Sequence, residues 1–123
     1  MRYDNAMSGL SHYHKEDRPW GSFERFTLNE PSTVKIITVT AGEAFSLQQH
    51  EHRDEMWKII RGSGKVTVGE ETKDAAAGEE FFVARGAKHR VEGGPEGIMF
   101  LEVAIGEFDE GDIKRLEDKY GRT

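Results

Sequence analysis

A chain of 123 residues with a net charge of −6 is long enough to bury one real core and too short for a second catalytic module. Its acidic balance speaks against a nucleic-acid-binding surface, which needs Lys and Arg in excess over a broad face. The absence of cysteine excludes disulfides, thiolate catalysis and thiolate metal ligands, leaving histidine and oxygen donors for any ion.

In chain order, residues 1–17 read as a flexible N-terminal arm, polar and mixed in charge, without the apolar core of a secretion signal. His12 and His14 lie in it, and a same-face pair in a mobile segment does not make a site. A single domain is expected over 18–123. No run approaches the roughly 18 consecutive apolar residues that cross a bilayer, so no membrane partner is expected and the protein is placed in the cytoplasm. Short β-rich runs follow over 34–40, 45–50, 55–60, 64–68, 80–84 and 97–105, separated by Gly-containing turns at 41–42, 61–62, 77–78, 85–86 and 93–95. Many short strands at spacings of about 8 to 12 residues indicate an all-β sandwich or barrel. The tail differs. Asp109 suits an N-cap, with Asp112 at the third helical position; Ile113, Leu116 and Tyr120 recur at helical spacing and Gly121 would end the element. A short C-terminal helix packed on the barrel is therefore expected. The long strand edges of a small barrel are commonly covered by pairing, which predicts a homodimer.

Two segments carry the chemistry. The first runs Gln48-Gln49-His50-Glu51-His52-Arg53-Asp54-Glu55 inside the frame from Gly42 to Gly62, and the second is Gly86-Ala87-Lys88-His89 inside the frame from Gly78 to His89. Residues two apart on a strand share a face, so Gln48, His50 and His52 can all look into one cavity if the strand stays regular. An anionic substrate would need a local basic cluster, and Arg53, Lys58, Arg61, Arg85, Lys88 and Arg90 surround these segments.

The paired frames resemble the motifs of the cupin superfamily, in which strands of a small barrel bring an H-x-H pair, a carboxylate and a later histidine to one ion. The resemblance narrows further. Arg18-Pro19-Trp20-Gly21, Ser46-Leu47-Gln48 running into His50-Glu51-His52-Arg53, Glu55-Met56-Trp57, His89-Arg90, Glu102-Val103, and Asp112-Ile113-Lys114-Arg115 through Glu117-Asp118-Lys119-Tyr120-Gly121-Arg122 are similar, in the same order, to the type II phosphomannose isomerase domain. That domain is usually the C-terminal part of a bifunctional enzyme whose N-terminal part is a mannose-1-phosphate guanylyltransferase. Departures from the family pattern are Ala84 where proline is usual, Gly111 where the family tends to carry an acid, and Ala104 where a glutamine follows the Glu-Val pair. No Gly-rich nucleotide loop is present, so no nucleotidyl transfer is expected of these residues.

The resemblance implies a cupin double-stranded β-helix, or jelly roll, and a metal-dependent isomerase of mannose 6-phosphate and fructose 6-phosphate. By the same match, Gln48, His50, Glu55 and His89 would hold one divalent ion. Zinc is preferred as a redox-silent Lewis acid, with manganese, cobalt or nickel as substitutes. The ion would polarise a C1 or C2 oxygen while a general base carries the proton between the two carbons. His52 and Glu102 are the candidate bases; His52 could equally replace Gln48 as a ligand or stack on Trp57. Arg53, Lys88, Arg90, Arg115 and Arg122 are available for the phosphate, with a structural role in pairing helix acids as the alternative for Arg115 and Arg122. Two rival functions keep the fold. One is an iron or manganese dioxygenase or oxidase using His50, His52, Glu55 and His89, against which Gln48 argues; the other is a non-catalytic sugar-binding cupin.

Overall fold

The protein is represented by a computed structural model that describes residues 9–118. The strands among the described residues are, in chain order, β1 (His14–Arg18), β2 (Gly21–Arg25), β3 (Ser32–Val39), β4 (Leu47–Gln49), β5 (Arg53–Val68), β6 (Glu71–Ala76), β7 (Glu80–Val83), β8 (His89–Gly106) and β9 (Lys114–Glu117). β1 and β2 form a separate hairpin, and the other seven make one rolled sheet in the order β6-β5-β8-β4-β9, with β3 added to β8 and β7 to β5. Among the described residues, no helix is long and apolar enough to cross a membrane.

The axis of the roll is the antiparallel pair of long strands β5 and β8, which run together from Arg53↔Gly106 to Val68↔His89. Their neighbours change along the way. β7 pairs the first part of β5 and β6 its second part, while β3 pairs β8 from Ile98 to Ile105 and β4 meets it at His89. Each long strand thus crosses from one layer of the roll to the other, and the crossing is made by glycine. The β5–β8 register shifts between Gly62 and Gly64. A Cβ on Gly62 would lie 2.2 Å from the Gly97 carbonyl oxygen, and one on Gly64 would lie 2.1 Å from that of Glu92. Only glycine lets two backbones approach so closely at a bend. The expected turns at 61–62 and 93–95 are therefore bends inside two continuous strands, whereas 41–42, 77–78 and 85–86 are turns as expected.

Strand alternation sorts the apolar residues into two cores. Trp57, Ile59, Val66, Val83, Val91, Ile98 and Phe100 fill the inside of the roll. Met56 and Val103 point outward and are covered by Leu10 and Tyr13, with Phe26, Phe82, Leu101 and Ile105 around them. The arm drawn over 1–17 divides accordingly. Residues 1–8 lie outside the described residues, but Leu10 and Tyr13 are 5% and 3% exposed, and residues 14–18 are β1. Two large apolar side chains buried against the outer sheet face hold this segment to the domain.

The expected C-terminal helix is replaced by a turn and a strand. Asp109 does cap, through Gly111 N to Asp109 Oδ1 at 2.8 Å, and Asp112 N closes a turn onto Asp109 O at 2.9 Å. The chain then extends as β9 alongside β4, pairing Leu47↔Glu117, Gln48↔Arg115 and Gln49↔Lys114. Ile113, Leu116 and Tyr120 at helical spacing are too short a pattern to outweigh an open strand edge, and pairing satisfies the β4 backbone, which one helix turn would leave exposed. Tyr120, Gly121 and Arg122 lie outside the described residues.

Candidate metal centre

The two motifs are brought together by the loops that flank them. β4 ends at Gln49 and the chain bends through Glu51 and His52 before β5 begins. The turn at 85–86 is tied to that bend twice, by Gly86 N to His50 O at 2.7 Å and by Gln49 Nε2 to Gly86 O at 3.0 Å. Asp112 holds the bend from the other side: its carboxylate accepts the N–H groups of Glu51 and His52, both at 2.9 Å. These hydrogen bonds, that from Glu51 foremost, keep the Asp112 carboxyl below its usual range.

Three metal donors converge here. His50, Glu55 and His89 are buried, and one donor atom of each lies within 4.8 Å of the others. His50 Nε2 is 3.6 Å from Glu55 Oε2, and His89 Nε2 is 3.9 Å from Glu55 Oε1. Donors about 3–4 Å apart suit an ion with bonds of about 2.0–2.2 Å. The ring orientation also fits. His50 Nδ1 donates to the Asp112 carbonyl at 2.6 Å and His89 Nδ1 to the Ala87 carbonyl at 3.1 Å. A carbonyl can only accept, so the proton of each neutral ring sits on Nδ1 and Nε2 presents a lone pair to the centre. Burial lowers the His89 pKa against the pull of Glu55 and the Ala87 carbonyl, which keeps the imidazole neutral as a ligand must be.

The carboxylates divide by environment. Burial alone would raise Glu55, but His89, hydrogen bonds from Glu102 and Arg53, and His50 outweigh it, and its pKa is lowered. Trp57 Nε1 donates to Glu55 Oε1 at 3.2 Å. Glu102 is pushed up to about 8, first by burial and then by the charge of Glu55, with which it shares a hydrogen bond. It therefore carries a proton at neutral pH while Glu55 does not. Glu102 faces inward, so Leu101, Val103 and Ile105 on the opposite face are the ones that meet Leu10 and Tyr13; β8 is apolar on both sides because the N-terminal segment covers the outer one.

The centre opens into a cavity of about 130 Å³ lined by Lys35, Ile37, Phe45, Gln48, His50, Arg53, Trp57, His89, Glu102, Glu110 and Ile113. Larger surface grooves of about 480 and 500 Å³ lie elsewhere and hold no such cluster among the described residues. Gln48 is in the lining, opposite His89 in the strand register, with Nε2 directed at Ser46 O and Oγ, each at 3.3 Å.

Not every expected residue reaches the cavity. His52 is exposed and outside the lining, because the bend after Gln49 breaks the alternation that would have put it beside His50; the imidazole that packs on Trp57 is that of His89, at 5.5 Å between centroids. Of the expected phosphate ligands only Arg53 lines the cavity. Lys88 pairs with Glu70 at 2.7 Å. Arg90 donates to the carbonyls of Phe45 and Glu117, fastening β9 to the roll, and Arg115 sits on β9. Arg122 is outside the described residues. Lys58 and Arg85 are likewise spoken for, by Glu24 and Glu80, and by Asp54.

Three residues of the centre escape a reading of the sequence: Lys35, Trp57 as a site residue, and Asp112 as an anchor. Lys35 pairs with Glu110 at 3.1 Å and stands 4.5 Å above the Phe108 ring. Its signal is the alternation of β3, where it shares a face with Ile37 and Val39. Replacing Asp112 with Ala should free the 50–52 bend and weaken divalent-ion binding by about 10- to 100-fold, the usual cost of an outer-shell partner; a chelator-competition titration reads it, and unchanged affinity would remove Asp112 from the centre.

A rolled β-sheet with two histidines and a glutamate converging at the ends of its inner strands defines a cupin. The profile of the family described as mannose-6-phosphate isomerase C-terminal matches residues 5–118, and the chain belongs to that family. Among curated proteins it is 39% identical over 115 residues to mannose-1-phosphate guanylyltransferase ManC of Salmonella typhimurium, covering 91% of this chain and 24% of that one. It is 37% identical over 120 residues to the xanthan biosynthesis protein XanB of Xanthomonas campestris pv. campestris, covering 96% and 26%. The chain thus spans about a quarter of the length of these relatives. Among solved structures, oxalate decarboxylase from Bacillus subtilis matches with a TM-score of 0.64 and 26% identity over 71% of this chain and 24% of that one. A double-stranded β-helix protein from Klebsiella pneumoniae matches with a TM-score of 0.62 and 21% identity over 76% and 90%.

Proposed function

We propose that this chain is a metal-dependent aldose–ketose isomerase acting on a sugar phosphate, interconverting mannose 6-phosphate and fructose 6-phosphate. The observation that carries the reading is the juxtaposition of a buried His50–Glu55–His89 donor set, both rings turned Nε2-inward, with a protonated Glu102 in the same cavity. Family membership points to the same sugar chemistry.

His50, Glu55 and His89 hold one divalent ion, zinc in the first place, with manganese, cobalt or nickel as substitutes. Gln48 completes the set through its amide oxygen, since the nitrogen is directed at Ser46. Such an ion supplies Lewis acidity toward a C1 or C2 oxygen. Glu102, pushed up to about 8, acts as the base in its ionised form: the carboxylate accepts the proton from one carbon and the resulting acid returns it to the other. Trp57 and Phe45 wall the cavity and exclude water. Arg53 and Lys35 are the cations at the cavity that suit a phosphate; Lys88, Arg90 and Arg115 serve the surface and the β9 strand. The substrate is a small molecule, with neither nucleic acid nor membrane as partner, and the protein works in the cytoplasm. A homodimer is supported by β3, which has a single partner strand among the described residues and exposes Val34 and Ile36, an edge of the kind that pairing covers.

The test is mannose 6-phosphate isomerisation in a coupled assay on chelator-treated protein, before and after restoration with zinc, manganese or cobalt. Turnover that appears only with the ion supports the reading. Ion binding without turnover would overturn it and favour the sugar-binding alternative, and oxygen uptake with reduced iron would favour the oxidase.

A further inference from the structure

Arg53 sits among the donors of the proposed metal centre, and its contacts are unusual for a phosphate ligand. Its side chain is 6% exposed. Nε donates to Glu55 Oε2 at 2.9 Å, and one terminal nitrogen lies 3.1 Å from His50 Nε2, whose own ring proton is on Nδ1. The other terminal nitrogen reaches the Asp109 carbonyl at 3.4 Å, and the guanidinium carbon stands 4.3 Å from the Phe108 ring centroid. Two of the lone pairs aimed into the centre, one on Glu55 and one on His50, are therefore accepting hydrogen bonds from a fixed positive charge.

A lone pair that accepts a hydrogen bond is not at the same time available to a metal, and a guanidinium cannot give up its charge. We infer that Arg53 is a built-in counter-cation that competes with the metal ion for Glu55 Oε2 and His50 Nε2. Loading then requires the guanidinium to withdraw from these two acceptors. The inference rests on the proposed metal centre. It gives Arg53 two consequences that a simple phosphate ligand or a residue that orients Glu55 would lack. Without an ion it neutralises a buried carboxylate and keeps His50 and Glu55 close together. With an ion it adds a like charge nearby, which weakens binding.

The readout is binding of cobalt(II), followed by its visible absorption and by competition with a chelator, together with the melting temperature in excess chelator. Wild type, Arg53→Met and Arg53→Lys are compared. Arg53→Met is expected to bind cobalt about tenfold more tightly or better, the factor for losing roughly one charge-assisted hydrogen bond, while melting lower than wild type in chelator. Arg53→Lys keeps the charge but cannot bridge both acceptors, and should fall between the two in affinity; it serves as the test protein should the methionine variant not fold. Affinity that is unchanged or reduced in the variants overturns the competition and makes Arg53 a positioning residue for Glu55. Cobalt taken up by no protein overturns both the competition and the metal centre. Uptake by wild type with no gain in the variants overturns the competition alone.

Discussion

Glu55→Gln and His89→Ala should each lower divalent-ion affinity well beyond the 10- to 100-fold typical of an outer-shell loss, and mannose 6-phosphate turnover should disappear with the ion. The two are not equivalent. His89→Ala removes one neutral donor and opens space beside Trp57, so metal binding falls while the fold is weakened by packing loss. Glu55→Gln keeps the shape but deletes the one carboxylate that His50, His89, Arg53 and Trp57 all face. Arg53 is then left as a buried charge without its partner, a situation that costs about 3–5 kcal/mol. Glu55→Gln should accordingly be the less stable of the two in chelator despite being the smaller change in volume. Chelator competition and thermal melting measure both. Full metal affinity in either variant would exclude that residue from the centre.

The ligand frame was legible because it rests on spacing: Glu55 and His89 face inward wherever β5 and β8 alternate regularly. His52 was misplaced for the complementary reason. Its expected orientation assumed a strand through 48–52, and the bend there is fixed by Asp112, sixty residues away. No local pattern announces such a tie. The same residue accounts for the helix that is not there, since an aspartate expected near a helix start binds the backbone of another segment instead. The first long strand reads as two because Arg61-Gly62 has the composition of a turn, and only the Gly97 carbonyl beside it shows that Gly62 serves close approach. Burial of Leu10 and Tyr13 was hidden by the polar residues around them. The basic residues beside the motifs show charge but not partners: Lys88 is held by Glu70 and Arg90 by backbone carbonyls, while Lys35, distant in sequence from both motifs, lines the cavity.

Glu102→Gln separates the proton carrier from the ligands. A neutral amide reproduces the shape of the protonated carboxyl and can still donate to Glu55, so metal affinity should change little, whereas isomerisation should fall by about 10²- to 10⁴-fold, the range for a general acid–base group. The same substitution has a stability signature in chelator. The folded pKa of Glu102 is raised from 4.5 to about 8. Between those values the folded protein holds a proton that the unfolded chain has released, so wild-type stability is fully present below pH 4.5 and is lost as pH rises toward 8. Glu55, shifted downward, acts in the window below 4.5 and does not offset this loss. Glu102→Gln cannot titrate and should escape it, melting close to wild type near pH ~4.5 and higher by about 5 °C or more at about pH 9, where ~1 kcal/mol corresponds to several degrees in a domain of this size. Parallel melting curves across that range would show that the carboxyl is not held protonated by Glu55 and burial. Retained turnover in the variant would move the proton transfer to another group.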